Sequence, residues 1–168
     1  AKTFDEGLVA ITALTRERLE QNLGPVVSPA MANEVQDRGE FFAPKLVARI
    51  NTEIKEFHER FKKDLIIETV AAPPADKQKL LAAADATERS KIFTNWLHER
   101  AQAAKADGVV VLICREPPRI QVEVTAGMAA KAFTHKDRDQ LVEILLGHFR
   151  AKEFDKALET SLDFVYDT

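Results

Sequence analysis

The 168-residue chain holds a single cysteine, Cys114, so no disulfide can form within it. One thiol does not fix a compartment, because secreted proteins without disulfides exist. Only six glycines are present, and neither GxGxxG nor GxxxxGK[ST] occurs. That excludes the phosphate-cradling glycine loop of nucleotide binders. GxSxG is missing too, and with it the nucleophile elbow of the α/β hydrolases. His58-Glu59 and His98-Glu99 open a zinc-protease pattern, but Lys62 and Gln102 stand where the second histidine is needed. The longest apolar run, Val109 to Cys114, is strand-sized and far short of the 18 or more residues of a membrane span. Charge of one sign is also lacking. The 24 basic and 27 acidic residues leave a net charge of −3, which argues against general nucleic-acid binding.

What is there suits one globular domain. Hydrophobic residues make up 45% and charged residues 30%. The length is close to the roughly 150 residues of a single domain. A chain of this size buries about 70% of the surface its unfolded form exposes. It begins at Ala1 without methionine, as a processed or trimmed chain does, and a removed signal peptide or anchor would leave no trace.

Apolar spacing predicts the elements. Leu8, Ile11, Leu19 and Leu23 recur at helical steps over residues 2–23, with a capping-box spacing at Thr3 and Glu6, and Gly24-Pro25 ends that helix. Residues 24–43 lack a period and read as a long connector, with room for a short fourth strand. Pro44 suits a first helical turn, and Leu46, Val47, Ile50, Ile54, Phe57 and Phe61 form one stripe. Leu65 to Ala71 reads as a strand, Ala75 to Ala84 as a short helix, and Glu88 to Lys105 as a longer helix with Thr87 as N-cap. Gly108 to Cys114 has the continuous apolar pattern of a strand covered on both faces. Arg119 to Thr125 alternates, and its short link to the previous strand predicts an antiparallel hairpin. Thr134 and Asp137 have capping-box spacing ahead of a helix with Leu141, Leu145 and Phe149, and a last helix starts near Glu153. Helices exceed what one face of a small sheet can take, so the expected fold is α/β, a three-layer α/β/α sandwich around a mixed sheet of three to four strands.

The candidate chemistry rests on loop acids near strand ends: Asp37, Asp107 and Glu123, with Glu153 and Asp155 opening the last helix. Oxygen ligands drawn from separate loops suit a hard cation such as calcium. His135, just inside a helix N-terminus, is a candidate acid or neutral donor. Cys114 ends an apolar strand and reads as a core thiol.

From about Val35 to Leu158 the chain resembles the TPM domain family. Val35-Gln36-Asp37-Arg38-Gly39, with Pro44 following, is similar to the family's "VND-x-A-x-x-L-x-P". A helix then runs into LIIETV, and Trp96 sits where the family carries a tryptophan. Asp107-Gly108-VVVLIC resembles "DNGVLLLV", and Arg119 to Ala129 resembles "R-x-I-E-V-G-x-G-L-E". Phe149 to Leu158 resembles the closing "FR-x-G-D-Y-D-x-A-L". The resemblance implies an α/β/α sandwich, which sets the domain at residues 24–168; residues 1–23 lie outside the resemblance and are expected as a helical extension packed on the domain. It implies calcium binding, weak acid phosphatase activity, and upkeep of membrane complexes outside the cytoplasm.

Against the family pattern, Ala106, Thr125, Ala129 and His135 replace an acid, a glycine and two further acids. Each lost carboxylate weakens a calcium site that needs six to eight oxygens. The expectation is therefore a non-catalytic or weakly catalytic accessory module with protein partners, no nucleic acid, and loops 35–43 and 125–135 as its rim. The rim residues are Arg38, Arg119, Thr125, Gly127 and Thr134. A calcium-assisted phosphatase using Asp37, Asp107, Glu123 and His135 is the first alternative. A cytosolic scaffold binding through the amino-terminal helix is the second.

Overall fold

The computed structural model describes residues 32–129 and 132–168. The expected helix over residues 2–23 lies outside the described residues. The order is β1 (Val35–Asp37), α1 (Pro44–Phe61), β2 (Asp64–Val70), α2 (Ala75–Ala83), α3 (Ala86–Ala103), β3 (Gly108–Cys114), β4 (Arg119–Val124), α4 (Ala126–Ala129), α5 (His135–Arg150) and α6 (Phe154–Asp167). The sheet runs β1-β2-β3-β4, parallel through the first two pairings and antiparallel in the last. The fourth strand is therefore β1, three residues inside the stretch that reads as connector.

Strand β3 is buried along its whole length, as a continuous apolar run requires. Its residues alternate between two cores. Val109, Val111 and Ile113 join Leu65, Ile67 and Val122 under α1, α5 and α6, where Ile54, Leu145 and Leu158 close the layer. Val110, Leu112 and Cys114 join Ile66 under α2 and α3, where Leu81, Phe93, Trp96 and Leu97 pack. The result is a three-layer α/β/α sandwich around a mixed sheet. Gly108 is required by close approach, because a Cβ there would lie 1.9 Å from the Asp64 carbonyl oxygen.

Local capping explains the helix starts. Pro44 opens α1, and the αL residue Lys62 closes it. Thr134 caps α5 in a reciprocal box with Asp137. Helix α3 departs from expectation: Asp85, not Thr87, is its N-cap, in a box with Glu88. An aspartate spaced three residues ahead of a glutamate satisfies two orphan N–H groups, which Thr87 cannot do from inside the first turn.

Candidate functional site

The register separates the predicted acids. Asp37 pairs with Thr69, which pairs with Ile113, six positions along β3 from Asp107. At about 3.3 Å per residue the two carboxylates lie ~20 Å apart, at opposite ends of the sheet. They cannot share one ion. For the same reason loops 35–43 and 125–135 do not form one rim: the first lies at the carboxyl end of β1, and the second follows β4 at the amino end of β3. Short motifs carry no register, so that separation becomes visible only once the strands pair.

At the amino end of β3, Asp107, Thr125 and Gly127 come together. Lys63 Nζ donates to Asp107 Oδ2 at 2.6 Å, and Thr125 Oγ1 donates to Oδ1 at 3.2 Å. A Cβ at Gly127 would lie 2.8 Å from that same Oδ1, so the glycine lets the chain pass over the carboxylate. The Asp107 N–H donates to Asp64 Oδ2 at 2.8 Å, and His58 Nδ1 lies 3.0 Å from Asp64 Oδ1. The Lys63 ammonium stands where a cation would sit. Among the described residues no three of His, Cys, Asp and Glu gather to hold a metal, and the arrangement does not supply the oxygens calcium needs.

Glu123 and His135 line a groove along β4 with Arg138 and His98. Glu123 Oε1 is 2.8 Å from His98 Nδ1, which commits it to an ion pair across α3 and β4 when the imidazole is charged. His135 is exposed in the first turn of α5, and Thr134 beside it is spent on capping. Asp137 Oδ2 accepts from both the hydroxyl and the N–H of Thr134, and these bonds hold its carboxyl below the ordinary range. Glu153 is likewise lowered, first by its hydrogen bond from Lys156.

At the other end, Asp37 stabilises its own loop. Its carboxylate accepts from Phe41 N at 3.1 Å, Phe42 N at 2.9 Å and Thr69 Oγ1 at 2.5 Å. Arg119 at this end donates to Ser90 Oγ at 2.6 Å. Cys114 is buried, and desolvation pushes its thiol up, which makes it a core residue and not a nucleophile.

Arg38 is drawn inward to a charge in the middle of β2. Glu68 is 1% exposed and lies between two guanidinium groups. Arg38 Nη1 donates to Oε1 at 2.9 Å. Arg100, from α3, donates Nε to Oε2 at 2.6 Å and Nη2 to Oε1 at 2.7 Å. Burial still pushes the Glu68 carboxyl up, against the pull of both arginines.

Above this cluster is a cavity of about 700 Å³, walled by Val70, Ala71, Ala72, Pro74 and Trp96. The first turn of α2, Ala75 and Asp76, closes one side. The cavity sits where β1 leads to α1 on one face and β2 leads to α2 and α3 on the other. Open parallel sheets bind ligands in such a crevice, at the carboxyl ends of the strands. Sequence reasoning missed Glu68, Arg100 and this use of Trp96. The available signal was one acid inside LIIETV, at a position facing a covered side, together with an arginine one turn beyond an inward tryptophan.

The family model of the TPM domain matches residues 35–168. Among solved structures, the chain is similar to the solution NMR structure of the N-terminal domain of a protein from P. gingivalis. The two are 11% identical, with 82% of each chain covered and a TM-score of 0.58, a likeness of fold. No curated protein matches the chain.

Proposed function

Because the chain belongs to the TPM domain family, we propose that it works as an accessory interaction module of that family, non-catalytic or weakly catalytic, beside a membrane or envelope complex outside the cytoplasm. Among the described residues no helix is long and apolar enough to cross a membrane. One observation carries the reading. The acids that metal-assisted phosphate chemistry would need are dispersed and individually engaged: Asp37 by its loop, Asp107 by Lys63, Glu123 by His98. A phosphoryl group in flight needs several charges converging on one point.

The test is thermal unfolding with calcium, magnesium as control, run beside a phosphomonoester assay at acid pH. A ligand at 100 times its dissociation constant adds about 2.7 kcal/mol, a shift of several degrees. The module reading expects no calcium-specific shift and no robust, metal-dependent turnover. A calcium shift with turnover, both lost in Asp107→Ala, would replace it with the phosphatase reading.

A further inference from the structure

We propose that the open edge of β4 pairs antiparallel with the same edge of a second copy of this chain, in the register that sets Arg119 opposite the partner's Glu123. The pairing goes beyond the module reading and does not rest on it.

Strand β4 ends the sheet, so one side of its backbone has no neighbouring strand. Thr125 N donates to the Gly108 carbonyl at 2.9 Å, which makes those two residues a hydrogen-bonded pair. Antiparallel pairs alternate between bonded and non-bonded. With Val110 opposite Glu123 and Leu112 opposite Gln121, the odd-numbered residues of β4 therefore turn their N–H and C=O groups to β3. Those of Ile120, Val122 and Val124 turn outward.

A groove of about 210 Å³ lies beside this strand, between Thr94, Asn95 and His98 of α3 and His135 and Arg138 of α5. An added strand lies about 4.8 Å from its neighbour, within that gap. Natural sheet edges are blunted by lysine, proline or a bulge. The six residues of β4 hold neither lysine nor proline, and their register with β3 is unbroken.

Backbone phase and charge together choose a second copy as the occupant. Two such edges can pair only even-numbered residues with even-numbered ones. A two-fold contact also requires each pair to recur in reverse. Centring on Gln121 meets both conditions. Ile120 then exchanges hydrogen bonds with the partner's Val122, and Gln121 faces the partner's Gln121. The same register sets Arg119 opposite the partner's Glu123 on the face towards α3, and Glu123 opposite the partner's Arg119. These are non-hydrogen-bonded pairs, whose side chains come closer. Centring on Val122 satisfies the backbone too, but it sets Arg119 against the partner's Thr125 and forms no ion pair.

Both charged side chains have capacity left for this contact. Arg119 donates to Ser90 Oγ and to no carboxylate among the described residues, and its Nε is buried without a partner. Glu123 Oε1 meets His98, and Oε2 has no partner among the described residues.

The 168-residue chain is tested by sedimentation equilibrium between about 1 μM and 1 mM. The expected result is a monomer–dimer equilibrium. Arg119→Glu and Glu123→Arg, each checked for folding by circular dichroism, should each weaken the dimer tenfold or more. An equimolar mixture of the two variants should dimerise again, because every cross-strand pair then joins opposite charges. A merely structural defect would not be rescued by mixing. If either variant does not fold, Gln121→Cys carries the test. Its Cα lies about 4.5 Å from the partner's, within disulfide reach, so oxidation should give a covalent dimer. The wild-type chain, whose Cys114 is buried, should give none. A chain that stays monomeric throughout the range overturns the proposal and leaves the edge to a strand of another protein. A dimer that neither charge reversal weakens, or a Gln121→Cys protein that does not cross-link, overturns it as well. Calcium-dependent turnover would overturn the module reading and leave the dimer standing.

Discussion

Asp37 heads the family-like opening motif, and its geometry makes a stability prediction that a metal-ligand role does not. Its carboxylate accepts three hydrogen bonds, two from the N–H groups of Phe41 and Phe42 and one from the Thr69 hydroxyl. Those N–H groups hold a loop whose Phe41 ring packs at 5.2 Å and 5.3 Å from Phe149 and Phe154, which fastens β1 to α5 and α6. A net hydrogen bond to a charged acceptor contributes about 1.5–3 kcal/mol when well buried. Asp37 is half-buried, so about 1 kcal/mol each is the fair figure, and Asp37→Ala should cost ~3 kcal/mol. For a chain of this length that lowers Tm by about 6–12 °C. Asp37→Asn should do little better. The two loop N–H groups point at different carboxylate oxygens, so one of them must face the Asn amide NH₂, donor against donor. Thermal and urea unfolding of both variants, with and without calcium, decides the matter. An Asp37→Ala protein as stable as the wild type, with a calcium response abolished, would refute the structural role.

Three further outcomes follow from the charged contacts. Lys63→Met removes a half-exposed ion pair to Asp107 and should cost under about 1 kcal/mol in urea unfolding, so a loss above 2 kcal/mol would mean the pair is misjudged. Glu68→Ala leaves Arg38 and Arg100 without their counter-charge and should cost about 3–5 kcal/mol, part of which returns in Glu68→Leu with Arg100→Leu; no recovery in the double variant counts against the buried cluster. Asp137 has its carboxyl lowered from 3.8 by Thr134, so its contribution is present above that value and disappears as pH falls through the lower folded one. Asp137→Asn should flatten the acid limb of a stability profile as pH falls below the ordinary carboxylate range, and an unchanged limb would show the cap is not ionic.

The fold was legible because its strongest signals are local. GVVVLIC can hardly be anything but a doubly covered strand, and RIQVEVT alternates beside it at hairpin distance. Pro44, Thr134 and Asp137 mark helix starts through groups within one turn. What escaped was weak or shared locally. Three residues, Val35 to Asp37, are too few to show a period of two, and their pairing with Ile67, Glu68 and Thr69 is what makes them a strand. Asp85 and Thr87 are both good caps by type, and only the reciprocal bonds to Glu88 choose between them.

The candidate site was less legible because a motif counts charges without showing what already occupies them. Asp107 keeps its place in the family-like stretch, yet Lys63, 44 residues earlier, sits on its oxygen. Arg38 was legible as a rim residue, but its partners are 30 residues away at Glu68 and, through Glu68, another 32 at Arg100. A carboxylate has about four acceptor sites, and each contact taken by the protein's own donors is one a ligand must displace. By that measure Asp37, with three contacts, is largely satisfied, and Asp107 and Glu123 are each engaged by a cationic or basic side chain. The cluster beneath Trp96 is different in its place: Glu68 is buried between Arg38 and Arg100, and the cluster opens on an apolar cavity.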